Sequence, residues 1–216
     1  MIVHKFGGTS VGDARRLASV ADIIIENHAC TGASANCASE IVVVVSAMAG
    51  VTNQLITGAR AAAQGKDSVY REIKAGLLSR HLEVVDSLLT KSPERLGVGG
   101  FVEDQLHDLG RFYRSIAMLG ECTARGCDAV ASFGEVLSAS ILAAVLRERG
   151  LRAQAVNATE LIVTDDHFGV ASPLMPQTRA RLDETIRPML QRGVIPIITG
   201  YIAATEGGVT TTLGRG

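Results

Sequence analysis

The chain opens with Ile2-Val3-His4-Lys5-Phe6-Gly7-Gly8-Thr9-Ser10-Val11-Gly12, and a helical pattern follows this stretch. Its short apolar start predicts a buried β-strand, and its glycines predict a tight turn at which the backbone approaches a ligand closely. Free backbone N–H groups ahead of a helix bind anions, and Lys5 adds a cation at the same place. The stretch therefore predicts a strand, a phosphate-binding turn around Gly7 and Gly8, and a helix.

This opening stretch differs from the two common nucleotide-binding motifs. In a P-loop the lysine follows the glycines, whereas Lys5 precedes Gly7. The Rossmann fingerprint needs a second glycine two positions after the first, and this chain has Thr9 there. A tight strand-to-helix turn with an exposed lysine therefore stays an equally open interpretation of residues 2–12 taken alone.

The composition of the chain is that of a folded domain. Its 216 residues are 47% hydrophobic and 20% charged, which is enough for one sizeable domain or a compact pair of lobes. The net charge of -1 gives no electrostatic reason to expect binding to nucleic acid or to an anionic membrane. With no Trp, three Tyr and five Phe, a platform for stacking bases is also not expected.

Neither a targeting segment nor a metal site is predicted. Lys5 and the glycines that follow it interrupt the N-terminus before a signal-peptide core forms, and no uncharged apolar run has the length of a membrane span. The four cysteines are Cys30, Cys37, Cys122 and Cys127. Their spacings fit no common zinc pattern, so we expect no metal, reduced thiols and a cytoplasmic protein.

Strand and helix patterns alternate along the chain. Residues 41–45 read IVVVV, a β-branched run that is typical of a strand buried on both faces by helices. Further apolar strands are expected at 152–156 and 194–198. This order predicts an α/β fold, a three-layer αβα sandwich with a mostly parallel central sheet.

Between these strands the periodicity predicts helices. They are expected at residues 14–26, over most of 54–120, at 136–149 and at 176–192. Asp13 is expected to cap the first of them, and residues 27–39 are expected to form a loop. Breaks are expected at 92–93 and at 97–100, and Pro188 is expected to kink or divide the last helix.

Polar residues follow the predicted strands, where ligands bind in parallel sheets. Ser46 and Thr52 follow residues 41–45, and Glu135 is expected near the start of a helix. Plain structural roles are open for each: Ser46 ends a strand, Thr52 caps a helix, and the helix dipole favours Glu135. Together with Lys5 for a phosphate and Arg215 for a carboxylate, they would suit a site that phosphorylates an amino acid.

Four blocks of sequence, in this order, resemble the signatures of aspartate kinases, a branch of the amino-acid kinase family. The blocks are KFGGTSV at 5–11, SAMAGVTN at 46–53, FGEVLS at 133–138 and TTLGRG at 211–216. The resemblance implies an amino-acid kinase fold and ATP-dependent phosphorylation of the β-carboxylate of L-aspartate, the first step toward lysine, threonine and methionine. It implies ATP and Mg²⁺ as cofactors.

The resemblance also implies a role for each matching residue. Lys5 and Arg215 would be the catalytic residues, and Lys5 would stabilise the phosphoryl group in transfer. The phosphate-binding residues would be Lys5, Gly7, Gly8 and Thr9. The substrate-binding residues would be Ser46, Thr52, Glu135 and Arg215, with Glu135 on the aspartate ammonium group and Arg215 on a carboxylate.

The resemblance carries an expectation about domains as well. Residues 1–216 would be the N-terminal, acceptor-binding lobe, truncated before the nucleotide-binding lobe and the ACT regulatory domains. We expect L-aspartate and ATP as partners, a homo-oligomer for the full-length protein, and little or no kinase activity from these residues alone. Two alternatives stay open: a family member acting on acetylglutamate, glutamate, carbamate or UMP, and a non-catalytic fragment that binds aspartate or assembles with another chain.

Overall fold

The computed structural model describes residues 1–31, 40–90 and 92–214. Its strands are β1 (Ile2–Phe6), β2 (Ile41–Val45), β3 (Ala153–Val156), β4 (Val163–Thr164), β5 (Ile195–Thr199), β6 (Ile202–Thr205) and β7 (Thr210–Thr212). Its α-helices are α1 (Ala14–Thr31), α2 (Val51–Ala63), α3 (Asp67–Leu88), α4 (Ser92–Leu119), α5 (Ala124–Glu148) and α6 (Met175–Gln191). A short 3₁₀ helix covers Ala158–Glu160.

The strands form two sheets. The larger sheet has the order β1-β2-β5-β3 and is parallel throughout. In the smaller sheet the central strand β6 pairs with β4 in parallel and with β7 in antiparallel orientation. The α/β fold with a mostly parallel sheet is confirmed, but burial of β1 is not. This strand lies at the sheet edge, where Val3 is 57% exposed.

Side chains of the larger sheet separate two apolar cores. On β2, Val43 and Val45 face the core that the sheet shares with α1 to α5. Val42 faces the opposite core, which contains Ile186 and Met189 of α6. Successive side chains of a strand point to opposite faces, so helices cover both faces and the predicted αβα layering is confirmed.

The boundaries of several helices correct the sequence predictions. The predicted loop at 27–39 is helical up to residue 31, and residues 32–39 lie outside those described. The glycines at 97–100 lie inside α4, because Val98 is 6% exposed and packs into the core. Pro188 does not divide α6, since it stands in the last turn, so the one hydrogen bond that it cannot donate to the preceding turn lies at the end of the helix.

The largest correction concerns α5, the central helix of the domain. The sequence predicts a helix from residue 136, yet the helix already begins at Ala124, after the N-cap Thr123. Glu135 therefore stands in mid-helix, and the interpretation that the helix dipole favours it there is wrong. Within the described residues, α5 alone has the length and apolar composition of a membrane span, but most of it is buried inside the fold.

The start of α5 also carries two free cysteines. Cys122 and Cys127 flank the N-cap, with their sulfur atoms 2.9 Å apart in a hydrogen bond. They correspond to the positions of a hydrophobic staple, which fixes the direction in which the chain enters a helix. Burial raises the pKa of the Cys122 thiol to about 12, so this sulfur stays protonated near neutral pH.

A close approach between α2 and α4 yields the first prediction. A Cβ at Gly58 would clash with the hydroxyl group of Tyr113, which donates a hydrogen bond to the Leu55 carbonyl. We expect Gly58→Ala to lower the free energy of unfolding by about 1–3 kcal/mol, because a buried ring has to move. Urea denaturation measures this change.

Gly76 of α3 provides the matched control. It is exposed and helical, and nothing lies within 4 Å of an added Cβ. Gly76→Ala should therefore raise the free energy of unfolding by about 0.5–1 kcal/mol, the ordinary helix preference for alanine. Stabilisation by both substitutions would contradict the packing described for α2 and α4.

Candidate active site

A cleft of about 660 Å³ opens at the carboxyl ends of β1, β2 and β5. Its polar lining comes from Lys5, Thr9, Ser46, Thr52, Asn53, Glu135 and Tyr201. The remaining lining residues are Gly8, Ala47, Met48, Ala49, Gly50, Leu213 and Gly214. The structure thus brings together most of the residues that the sequence singled out, at the edge of the sheet where parallel folds bind ligands.

The glycine turn after β1 lies directly against the loop after β2. A Cβ at Gly8 would stand 2.7 Å from the carbonyl oxygen of Ala47, closer than real contacts allow. The two loops are also joined where the Ser46 N–H donates to the Phe6 carbonyl at 3.1 Å. Gly7 differs from Gly8, because it is exposed, has open space around it and is not among the lining residues.

Two arginines hold the glycine turn in place. Arg16 donates to the Thr9 carbonyl, and Arg80 of α3 donates to the Gly12 carbonyl, each at 2.8 Å. At the start of α1 the Asp13 carboxylate accepts the backbone N–H of Arg16 at 2.9 Å, so the predicted N-cap is confirmed. Neither arginine lines the cleft, so these contacts fix the loop backbone without occupying the site.

The loop after β2 ends in a left-handed residue. Gly50 has φ of +81° and is the N-cap of α2. Thr52 is consequently inside the helix rather than its cap, and its half-buried side chain lines the cleft. Ser46 is half-buried too and follows the last residue of β2. Two hydroxyl groups are therefore available to a ligand in the cleft.

Glu135 is the most unusual group of the cleft. It is only 3% exposed, and its Oε2 atom has no hydrogen-bond partner. Burial raises the pKa of this carboxyl group to about 7. The backbone N–H groups of Ala47 and Gly200 stand near it without completing a hydrogen bond to Oε2, and together with Lys5 they partly oppose that rise in pKa.

Charge and burial in the cleft are distributed unevenly. Lys5 is exposed and Glu135 is buried, and the two form no ion pair within 4.0 Å. Because its Oε2 atom has no partner, the buried carboxyl group recovers only part of the free energy of hydration that it loses, and a cation from a ligand would offset the rest. The cleft therefore offers one cationic edge for an anion and one buried acid for a cation.

Tyr201 is a lining residue that the sequence did not single out. Its φ of +57° is the only positive value among the non-glycine residues described. The carbonyl of Tyr201 accepts the Leu213 N–H at 2.8 Å, and Gly200 before it donates to the Val45 carbonyl at 2.8 Å. The sequence signal that could have identified Tyr201 was its position just after the predicted strand at 194–198, because ligands bind at the carboxyl ends of parallel strands. Its strained backbone agrees with such a role, since strained residues concentrate at functional sites.

One predicted site residue and one polar loop are not part of the described lining of this cleft. Arg215 lies outside the described residues, so the structure does not place it. Asp165 accepts the backbone N–H groups of His167 and Ser172, and its carboxylate contacts the His167 ring at 3.2 Å, so this loop is held by its own turn. Across the described parts of the chain, no group of three or more metal-binding side chains comes together.

Comparison with known proteins identifies the family. The sequence profile of the amino acid kinase family matches residues 1–216. The chain belongs to this family. It is similar to the bifunctional aspartokinase/homoserine dehydrogenase 2 of Arabidopsis thaliana, with 31% identity over 99% of this chain and 22% of the relative. It is 30% identical to the lysine-sensitive aspartokinase 3 of Escherichia coli, over 100% of this chain and 44% of that protein.

Solved structures agree with this assignment to the amino acid kinase family. The chain superposes on E. coli aspartokinase III in complex with lysine and aspartate with a TM-score of 0.85 and 28% identity, over 100% of this chain and 44% of the other. The complex of that enzyme with aspartate and ADP gives a TM-score of 0.84. The chain thus spans 22% to 44% of the length of these relatives.

Burial of Glu135 predicts a pH dependence of stability. Between its ordinary pKa of 4.5 and about 7, the unfolded chain ionises this group while the folded chain keeps it protonated. The contribution of Glu135 to the free energy of unfolding should therefore fall by up to about 3 kcal/mol over that range and then level off.

Glu135→Gln removes this titration while keeping the shape of the side chain. Urea denaturation of both proteins from pH 4.5 to 8 should show the variant gaining stability relative to the original chain as the pH rises. A constant difference across the range would show that Glu135 ionises at its ordinary pKa in the folded protein.

Proposed function

We propose that this chain binds L-aspartate and presents its β-carboxylate for phosphorylation by ATP, as the acceptor-binding part of an aspartate kinase. The observation that carries the proposal is the buried Glu135 carboxyl group, which lines the cleft with an unpartnered oxygen. The relatives of this chain named above are aspartokinases, and the structure of one of them was solved in complex with aspartate and ADP.

An ammonium group of the substrate fits Glu135 best. A bound cation would convert the neutral acid to a carboxylate and satisfy Oε2, at a place where burial makes the pairing strong. This chemistry favours an acceptor with a free amine. Acetylglutamate, carbamate and UMP lack a free ammonium group, so they fit this pocket less well than aspartate does.

The phosphate end of the reaction would lie at Lys5. Its side chain lines the same cleft as Gly8 and Thr9, whose loop precedes the N-terminus of α1. Loop amides and a lysine together suit the oxygens of a phosphoryl group. Ser46 and Thr52 would position the acceptor between the two charged ends.

The transfer itself needs position and charge more than covalent help. An oxygen of the β-carboxylate attacks the γ-phosphorus of ATP, the bond from this phosphorus to the bridging oxygen breaks, and ADP leaves. Lys5 would neutralise charge on the transferring group. The described lining offers Mg²⁺ no set of carboxylates, since Glu135 is its only acid, so Mg²⁺ would enter with the nucleotide phosphates.

Proton release on binding provides a direct test of the proposal. With a pKa of about 7, Glu135 is about half protonated at pH 7, and an arriving ammonium group lowers that pKa. We expect about half a proton to be released for each L-aspartate bound at pH 7. Calorimetric titration in PIPES and in imidazole, whose ionisation enthalpies differ, measures this number.

The matched control is Glu135→Gln, which keeps the size of the side chain and cannot ionise. It should release no proton and bind aspartate much more weakly. Affinity of the original chain should rise with pH up to about 7 and then level off, since the ionised acid is the binding form. Unchanged affinity of the variant would rule out Glu135 as the ammonium site.

The chain by itself is expected to turn over little or no ATP. Its 216 residues match at most 44% of the length of the relatives named above. We propose that, in those relatives, residues outside the matched part bind most of the nucleotide. A coupled assay of ADP release with ATP, Mg²⁺ and aspartate should stay at background. ADP release that saturates with aspartate and is lost in Lys5→Ala would overturn this expectation.

A further inference from the structure

A second acid on α5, Asp128, is buried and fully engaged. It is 3% exposed, and its Oδ1 accepts the Thr212 hydroxyl at 2.6 Å. Its Oδ2 accepts two backbone N–H groups, from Thr212 at 3.0 Å and from Gly169 at 2.8 Å. One carboxyl group therefore holds strand β7 and the turn at residue 169 against the helix.

Asp128 and Glu135 share one face of α5. They are seven positions apart in the sequence, which is close to two helical turns. Glu135 lines the cleft, and Asp128 anchors β7 two turns earlier. The helix thus sets the distance between the buried acid of the cleft and this strand.

The strand that Asp128 anchors leads into the cleft. Leu213 and Gly214 follow β7 directly and line the cleft, and the Leu213 N–H donates to the carbonyl of the strained Tyr201. A second hydrogen bond holds β7 against β4, since the hydroxyl groups of Thr211 and Thr164 are 2.8 Å apart. A shift of β7 would therefore move one wall of the cleft relative to Glu135.

We infer that Asp128 is a positioning residue for the acceptor site: it fixes the β7 wall of the cleft at the distance from Glu135 that the substrate needs. This role rests on the proposed binding of L-aspartate. Asp128 does not touch the cleft itself, since it is absent from the described lining, and acts through Thr212 and the residues after it.

The test compares two substitutions of this acid in calorimetric titrations with L-aspartate. Asp128→Ala removes all three acceptor contacts and should weaken binding by about tenfold or more. In Asp128→Asn the amide oxygen accepts the two N–H groups while its NH₂ group donates to the Thr212 hydroxyl, so affinity should stay within about threefold of the original.

Hydrogen exchange gives a readout specific to this contact. The Thr212 and Gly169 amides should exchange faster in Asp128→Ala and stay protected in Asp128→Asn. Thr212→Val, which removes only the hydroxyl donor, should weaken binding by an intermediate factor and serves if Asp128→Ala fails to fold. The matched control is Tyr113→Phe, which deletes another buried hydrogen bond between two residues that do not line the cleft and should leave affinity unchanged.

The outcomes separate the two claims. If the original chain binds aspartate and Asp128→Ala binds it equally well, or Tyr113→Phe weakens binding as much, the positioning role is wrong and the proposed function stands. Equal losses in Asp128→Asn and Asp128→Ala also contradict the role. If the original chain binds no aspartate, the proposed function fails and the role of Asp128 falls with it.

Discussion

The position of Ala47 between two glycines determines the shape of the cleft. A Cβ at Gly8 would lie 2.7 Å from its carbonyl oxygen, and a Cβ at Gly134 would lie 2.8 Å from its Cβ. The glycine turn and α5 therefore both approach the loop after β2 as closely as backbone allows. Because Gly134 comes that near, the next residue, Glu135, reaches the cleft while staying buried. Side chains at either glycine would push the charged ends of the site apart.

The electrostatics of the cleft work against the stability of the folded chain. Glu135 loses its water and gains no full hydrogen bond at Oε2 in return. Such a group is prepared for a cation before any ligand arrives, so little rearrangement is needed on binding. Asp128, on the same helix, is the opposite case, since every one of its three contacts is made within the fold. One acid stabilises the architecture and the other is left available.

The sequence predicted the layered fold and most of the lining, because long β-branched runs and strand-end glycines follow local rules. It missed what depends on tertiary contact. Residues 128–132 form a short apolar run that is compatible with a strand or a buried helix, so the start of α5 was misplaced. The glycines at 97–100 were expected to end a helix, but core packing around Val98 outweighs their weak propensity. The left-handed backbone of Tyr201 and the contacts of Asp128 depend on distant parts of the chain, so local sequence does not predict them.

The left-handed backbone of Tyr201 has a consequence for engineering and for natural variation. A tyrosine in this conformation costs on the order of 1 kcal/mol, which a glycine at the same position would not incur. Tyr201 also lines the cleft, so a residue that strains the backbone stands where a ligand would bind. Selection for heat resistance alone would favour its loss, whereas selection for recognition would keep it. Position 201 is therefore a place where the stability of the fold and the recognition of a ligand favour different residues.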